Sequence, residues 1–387
     1  MYIKKILFAL LLLIPAQLFS QGMQTCNCPD TKLQFSTNKV TVLKAALDKL
    51  TGQGIPGAVV GVFDESGYWE ISSGFAKIEN QTKMQLCHLQ YLQSISKTYL
   101  AVTILQLYEE GKLGLDNKIT EYLSSQLSSN IPNASEISVR MLLNHTSGIP
   151  EYNSQPTYVT HLLQNPTRIF QPEEYFLYIK NKKPDFEPGT KYGYRNTNYV
   201  ILALIAEQIT GDHKQFMEER IFKVLNLKNT IYRIEQGETY EKRLVNTYWD
   251  RFSDGTLENV SVLQNSNVAS MIGDDGIITT PEDAITFLKG LMGGKLISNN
   301  SLELMQEWVK NLNGKEVYGL GLNISDFKGH KGIGHSGGGL GAGVQLYYFP
   351  QKKIYTFLAI NLGTVTNSPI HQNAELTLEK IYNIILQ

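Results

Sequence analysis

The sequence predicts a mixed α/β (α+β) fold: a largely antiparallel sheet flanked by N- and C-terminal helices, with an inserted, mostly helical lobe. Three observations predict it. Apolar runs of strand length, separated by short turns, lie near both ends of the chain. Helical periodicity fills most of the stretch between them. Amphipathic helical segments bracket the whole, so a sheet assembled from both ends would be covered by helices from both ends.

Taken in order, residues 38–50 carry Val42, Leu43, Ala46, Leu47 and Leu50 at helical spacing, with Ser36, Thr37 and Asn38 available as caps. Gly54-Ile-Pro-Gly57 stops that helix. Residues 58–63 then read as a buried strand, and residues 68–73 as its returning partner across the turn Glu65-Ser66-Gly67. A long apolar helix is expected over 94–111, and another over 117–127. Residues 198–210 and 281–292 are helical too. The second of these has Thr280 as N-cap, Pro281 in the first turn and Asp283 three residues after the cap. Strands return at 318–324, 343–349 and 353–360, with Pro350-Gln-Lys-Lys353 turning between the last two. Residues 375–386 close the chain as an amphipathic helix. Strands joined by such short turns pair antiparallel. The expected division is a sheet lobe from about 36–93 and 311–387, and a helical lobe over about 94–310.

Residues 1–20 are set apart from this fold. Lys4 and Lys5 precede a short apolar core ending at Pro15, and small Ser20 marks a cleavage point, the pattern of an export signal. The expectation is an exported protein, periplasmic or secreted, with an irregular leader over 21–35 and no transmembrane segment once the signal is removed. Three cysteines, Cys26, Cys28 and Cys87, permit one disulfide in an oxidising compartment without choosing the pair. With 387 residues, 42% hydrophobic, 18% charged and a formal net charge of -1, the chain supports a large core and offers no charged tract for nucleic acid.

The chemistry centres on Ser94-Ile95-Ser96-Lys97. At i and i+3 on the first turn of a helix, the Lys97 amine lies beside the Ser94 hydroxyl. The helix N-terminus favours developing negative charge there, and a desolvated lysine can accept the serine proton. The spacing recurs at Ser36–Lys39 and Ser325–Lys328, but in polar surroundings that read as a solvated helix face and a loop. The helix behind Ser94 differs, being apolar nearly all round from Ala101 to Tyr108. Two more elements join it. Tyr194-Arg195-Asn196 leads into an apolar helix and offers a phenol for proton relay and an amide for substrate. His335-Ser336-Gly337-Gly338 precedes the 343–349 run, where an edge strand would set a backbone N–H opposite that of Ser94.

Ser-x-x-Lys, Tyr-x-Asn and His-x-Gly, in this order, resemble the class C β-lactamase and D-alanyl-D-alanine carboxypeptidase family of penicillin-recognising serine hydrolases, esterase members included. The likeness extends to Leu142-Leu-Asn-His-Thr-Ser-Gly-Ile-Pro150, Pro188-Gly189 and the run 273–283, and covers roughly residues 40–385. The resemblance implies a serine hydrolase that forms an acyl-enzyme on Ser94 and cleaves an amide, β-lactam or ester bond. Lys97 and Tyr194 would share acid/base work, and Asn196 and His335 would bind substrate. The N–H groups of Ser94 and Gly338 would form the oxyanion hole, with Gly337 beside them. Two departures stand out. Arg195 occupies a position where a small residue is common, which would crowd or charge the cleft. His335 replaces the lysine of typical class C β-lactamases, which draws the chain toward the carboxypeptidase and esterase branch. The competing expectation is a catalytically impaired module of the same fold that binds peptides or cell-wall fragments.

Other readings are weaker on the residues. Gly334-His-Ser336-Gly-Gly338 matches a nucleophile elbow, but a strand rather than a helix follows, and no Asp or Glu lies between Ser336 and the last histidine, His371. The glycines of 337–342 lack the helix that a dinucleotide site needs. His145 reads as a structural hydrogen-bonder, and Asp274-Asp275 as turn formers in a glycine-flanked turn. No histidine–carboxylate set has metal-ligand spacing, so no metal and no cofactor is expected, and the partner is a small-molecule or peptide substrate.

Overall fold

The computed structural model describes residues 38–234 and 239–387. The expected signal, the leader, Cys26 and Cys28 lie outside them. Helix α1 (Asn38–Gly52) buries Val40, Leu43, Ala46, Leu47 and Leu50 along one face. Strands β1 (Gly57–Asp64) and β2 (Gly67–Lys77) follow as a hairpin, where Asp64 Oδ1 accepts from Ser66 N at 2.9 Å in the turn. Short β3 (Thr82–Lys83) extends the edge.

From the far end of the chain come β4 (Val309–Lys310), β5 (Glu316–Tyr318), β6 (Asn323–Phe327), β7 (His330–Gly338), β8 (Gly343–Phe349) and β9 (Ile354–Ile360). Together these make a nine-stranded antiparallel sheet in the order β3-β2-β1-β9-β8-β7-β6-β5-β4. The two chain ends join where β1 meets β9, with Ala58 opposite Ile360 and Phe63 opposite Tyr355.

The period-2 alternation of these strands divides the core. Ala58, Val60, Val62, Leu358 and Ile360 share a cluster with α1 and the closing helix, while Val59, Phe357 and Ala359 face the larger core on the other side. That larger core holds α2 (Ser96–Glu109), α3 (Asn196–Thr210) and α4 (Pro281–Met292), and the closing helix is α5 (Pro369–Leu386). Helix α2 is buried at twelve successive positions, Ser96 to Leu107, which puts it at the centre of the larger core. Thr280 caps α4 as expected, its side chain accepting from Asp283 N.

Several expectations need correction. Residues 117–127 do not form a helix; a single 3₁₀ turn (Ile119–Glu121) and one short helical turn (Ser125–Ser128) stand there. The Ser124 hydroxyl accepts from Leu127 N and caps the turn, a use of serine that competes with propagation. The 318–324 run is broken into β5 and β6. Gly321, at φ +82°, presses on α2 so closely that a Cβ would lie 2.2 Å from Ala101 Cβ. Lastly, His335 to Gly338 precede the Gly343–Phe349 strand as expected, but they themselves end a strand, and neither strand is an edge. β7 lies between β6 and β8, and Ser325 lies on β6 rather than in a loop. Cys87 is disulfide-bonded, and its carbonyl accepts from Arg243 Nε and Nη2 at 3.1 and 2.9 Å.

Candidate active site

Three neighbours position Ser94. It sits in a 3₁₀ turn (Gln93–Ile95) that runs directly into α2, and the residue before it, Gln93, holds φ +49°. Such left-handed backbone in a non-glycine residue is costly and clusters at functional sites. A small sheet fixes the turn from behind. Strand Gln90–Tyr91 pairs with Ile277–Thr279, Leu92 N donates to Ile277 O at 2.9 Å, and Ser96 Oγ accepts from Ile277 N at 3.3 Å. This pairing draws the 273–276 turn against α2. Gly273, at φ +77°, has no room for a side chain: a Cβ would lie 2.3 Å from Leu100 Cδ2 and 2.9 Å from Tyr199 O.

Lys97 is fully buried. Its ammonium donates to Ser94 Oγ at 3.0 Å, to Asn196 Oδ1 at 2.7 Å and to the main-chain carbonyl of Asp274 at 2.6 Å. All three donors are thus used in one direction-specific set. Burial lowers its pKa from 10.5 to about 8; Asp274, Asp275 and Glu151 act against that shift by favouring the ammonium.

Tyr194 and Asn196 enter from the start of α3. The Lys97 amine lies 5.2 Å from the Tyr194 ring centroid. The Tyr194 hydroxyl is buried and makes no hydrogen bond of good geometry, yet Ser94 is near enough to favour its ionised form slightly against the larger effect of burial, which pushes the phenol well up. Asn196 is the first residue of α3, and its N–H donates to Glu151 Oε2 at 2.5 Å. That carboxylate occupies the N-terminus of a 15-residue helix, where negative charge is favoured. Arg195 turns away from the cleft. Its Nε and Nη2 donate to Asp185 Oδ2 at 2.8 and 2.6 Å, and Nη1 donates to the Tyr194 carbonyl at 2.7 Å. The expected crowding therefore does not arise; the arginine clamps the loop from outside.

His335 is buried at the cleft wall. Its Nδ1 is 2.5 Å from Ser336 O and its Nε2 2.8 Å from the Tyr318 hydroxyl. The imidazole donates through Nδ1 to the carbonyl and accepts the phenol proton at Nε2. Burial, then the Lys97 charge, lowers its pKa to about 3, so it stays neutral. The glycines beyond it let β7 lie against the turn that carries Ser94. A Cβ on Gly337 would stand 2.6 Å from Leu92 O, and one on Gly338 2.3 Å from Thr364 Oγ1. Ser94, Tyr194, Asn196, His335 and Gly338 line one cavity of about 590 Å³, together with Tyr192, Tyr318 and Lys315. A second cavity of similar volume, between α5 and strands β7–β9, gathers none of Ser94, Lys97 or Tyr194.

His145 behaves as the structural residue expected of it: its Nδ1 accepts from Arg195 N at 3.3 Å and from Asn198 Nδ2 at 3.0 Å, tying the start of α3 to the preceding loop. Sequence reasoning passed over Glu151, Tyr318 and the part played by Asp274. Asp274 and Asp275 do sit in a tight turn, but at 2% and 4% exposure they are core residues around Lys97, not solvated turn formers. Two acids inside the apolar run Ile272 to Ile278 were the available signal. Among the described residues no cluster of histidine, cysteine and carboxylate groups could hold a metal ion, and no helix is long and apolar enough to cross a membrane.

This geometry is accompanied by clear likenesses. The Beta-lactamase family profile matches residues 16–377. A penicillin-binding protein of Bacillus subtilis (strain 168) is 27% identical over 305 residues, which span 74% of this chain and 64% of that protein. The D-alanyl-D-alanine-carboxypeptidase/endopeptidase AmpH of Escherichia coli (strain K12) is 24% identical over 81% of this chain and 82% of its own length. The aligned regions thus span less than two thirds of the first of these relatives and most of the second. In structure, a D-amino acid amidase from Ochrobactrum anthropi SV3, complexed with D-phenylalanine, superposes with TM-score 0.79 at 20% identity, over 90% of this chain and 99% of that one. With the mixed sheet-and-helix architecture and a match over most of its length, the chain belongs to the Beta-lactamase family.

Proposed function

We propose that this protein is an exported serine hydrolase that cleaves amide, β-lactam or ester bonds through an acyl-enzyme on Ser94. One observation carries the proposal: a fully buried lysine amine, 3.0 Å from a serine hydroxyl at the mouth of a cavity, with its proton affinity lowered to about 8. That pairing is what an activated serine nucleophile needs.

In the reaction, neutral Lys97 takes the Ser94 proton as Oγ attacks the carbonyl carbon. The developing oxyanion is received by the N–H groups of Ser94 and Gly338. Collapse of the tetrahedral species expels the amine or alcohol, which receives its proton from the Lys97 ammonium, directly or through Tyr194. A water then loses its proton to Lys97, attacks the ester carbonyl and frees Ser94 and the acid product. The division of labour follows from the electrostatics. Burial opposes ionisation of Tyr194, so it serves as a donor and relay, while Lys97 is the base. Asn196 orients Lys97 and presents its remaining amide N–H groups to substrate. His335, neutral and engaged at both nitrogens, shapes the wall and gives no fixed positive charge to a substrate carboxylate. That favours neutral amides and esters over substrates that present a carboxylate, whether β-lactams or C-terminal peptides. The similar proteins named as carboxypeptidase and amidase support amide-bond cleavage. The positive and apolar pattern of residues 1–20 supports export to the periplasm or medium.

The test is p-nitrophenol release from a p-nitrophenyl ester by the mature protein and by Ser94→Ala, with intact-mass detection of the acyl-enzyme. Ser94-dependent turnover with a covalent adduct supports the reading. Equal rates in both proteins, with no adduct, would remove Ser94 as the nucleophile.

A further inference from the structure

Lys97 is a single buried ammonium inside a ring of acids. Asp274 and Asp275 face it from the 273–276 turn and Glu151 from the loop before α3. The rings of Tyr194 and Tyr199 stand 5.2 and 5.8 Å from its amine, and His145 and His335, both kept neutral by burial, complete the surroundings. Asp274 differs from the other two acids because it touches Lys97 through its own backbone. Its main-chain carbonyl accepts from Nζ at 2.6 Å. Its carboxyl is held separately: Oδ2 accepts from the Tyr152 hydroxyl at 2.8 Å, and Oδ1 is buried without a partner. The turn has no slack, since Gly273 packs directly on Leu100 and Tyr199. One residue therefore fixes where the ammonium sits and also places a carboxyl beside it, in an interior where charge is poorly screened.

Resting on the acyl-enzyme reading above, we propose that Asp274 is a positioning residue for the reaction: its carbonyl holds the Lys97 amine beside Ser94, and its Tyr152-bonded carboxyl sets how readily that amine accepts and releases the serine proton. The charges agree with this. Burial pushes Asp274 up to about 6, with the Lys97 charge and the Tyr152 hydroxyl pulling the other way, so Asp274 is ionised where Lys97 begins to lose its proton. Removing the carboxylate charge then makes the neutral amine available at lower pH.

The experiment measures the rate of Ser94 labelling by a fluorophosphonate across pH in the wild type, Asp274→Asn and Tyr152→Phe. Asparagine keeps the backbone carbonyl and an acceptor for Tyr152 while removing the charge. The acid limb of the labelling profile is expected to move down by on the order of one pH unit in Asp274→Asn. Tyr152→Phe strips the hydroxyl that favours the charged carboxylate, and should move the limb the same way by less. An unmoved limb in both folded variants overturns the proposal, because a purely packing role would change the plateau rate and not the limb. If Asp274→Asn does not fold, the Tyr152→Phe limb decides alone. Absence of Ser94 labelling in the wild type would instead overturn the proposed function, and this inference with it.

Discussion

Activity should rise with pH through the titration of Lys97, and the structure fixes where. The amine is fully buried and its pKa is lowered to about 8, so about one enzyme in ten carries the neutral, base-competent amine at pH 7, and about one in a hundred at pH 6. The expected kcat/KM on a neutral p-nitrophenyl ester is therefore about a tenth of its plateau at pH 7 and about a hundredth at pH 6. Of the other groups around Ser94, Asp275 and Asp274 come nearest, pushed up by burial to about 7 and about 6, and both are ionised before Lys97 reaches its plateau. His335 titrates near pH 3, His145 is lowered by burial, and Tyr194 is pushed upward, so none of them gains or loses a proton near pH 8. The decisive perturbation is Lys97→Arg, which keeps a cation but cannot give up its proton. Stopped-time assays of ester hydrolysis in constant-ionic-strength buffers should show a loss of at least about a hundredfold at the plateau. A flat profile between pH 6 and 9, or an arginine variant retaining more than about a tenth of the activity, would refute the assignment of Lys97 as base.

The glycine end of β7 gives a steric prediction. Gly337→Ala should cut kcat by about a hundredfold or more, since a Cβ would stand 2.6 Å from the Leu92 carbonyl oxygen and 2.7 Å from Gln93 Cβ and would push β7 off the turn that carries Ser94; kcat of the variant beside the wild type decides. Arg195→Ala removes a half-exposed ion pair to Asp185, so thermal or urea unfolding should register a loss of only about 0.5–1 kcal/mol, with kcat/KM falling less than about tenfold. A larger fall would show that the clamp on the Tyr194 carbonyl matters more than the ion pair does. Leu100→Ala, at a fully buried position on α2, should destabilise by about 2–5 kcal/mol in urea unfolding.

The local features of this protein were legible in its sequence. Periodicity located α1, β1, β2, α4 and the two closing strands because each buries a face whose spacing is a property of its own backbone. Ser94 and Lys97 could be placed side by side from their i and i+3 spacing, and the apolar helix behind them set this pair apart from Ser36–Lys39 and Ser325–Lys328. Failures came where a local cue served a distant contact. The glycines of β7 resemble a loop because glycine is a poor strand former, but they are there so that a strand can lie against Leu92 and Thr364. The 318–324 run broke because Gly321 had to pass over Ala101, more than two hundred residues away in the chain. What only the tertiary structure decided is the state of Lys97. Asn196 lies 99 residues from it and Asp274 177 residues from it, and no period within either segment encodes that meeting. The same holds for Arg195, which turns outward because Asp185 is there to receive it, and for Asp274, whose turn-forming sequence ends up buried beside the Lys97 ammonium. Spacing along a chain fixes neighbours within a turn or two; desolvation and opposing charge, which set the chemistry of a buried amine, come from whatever folding packs around it.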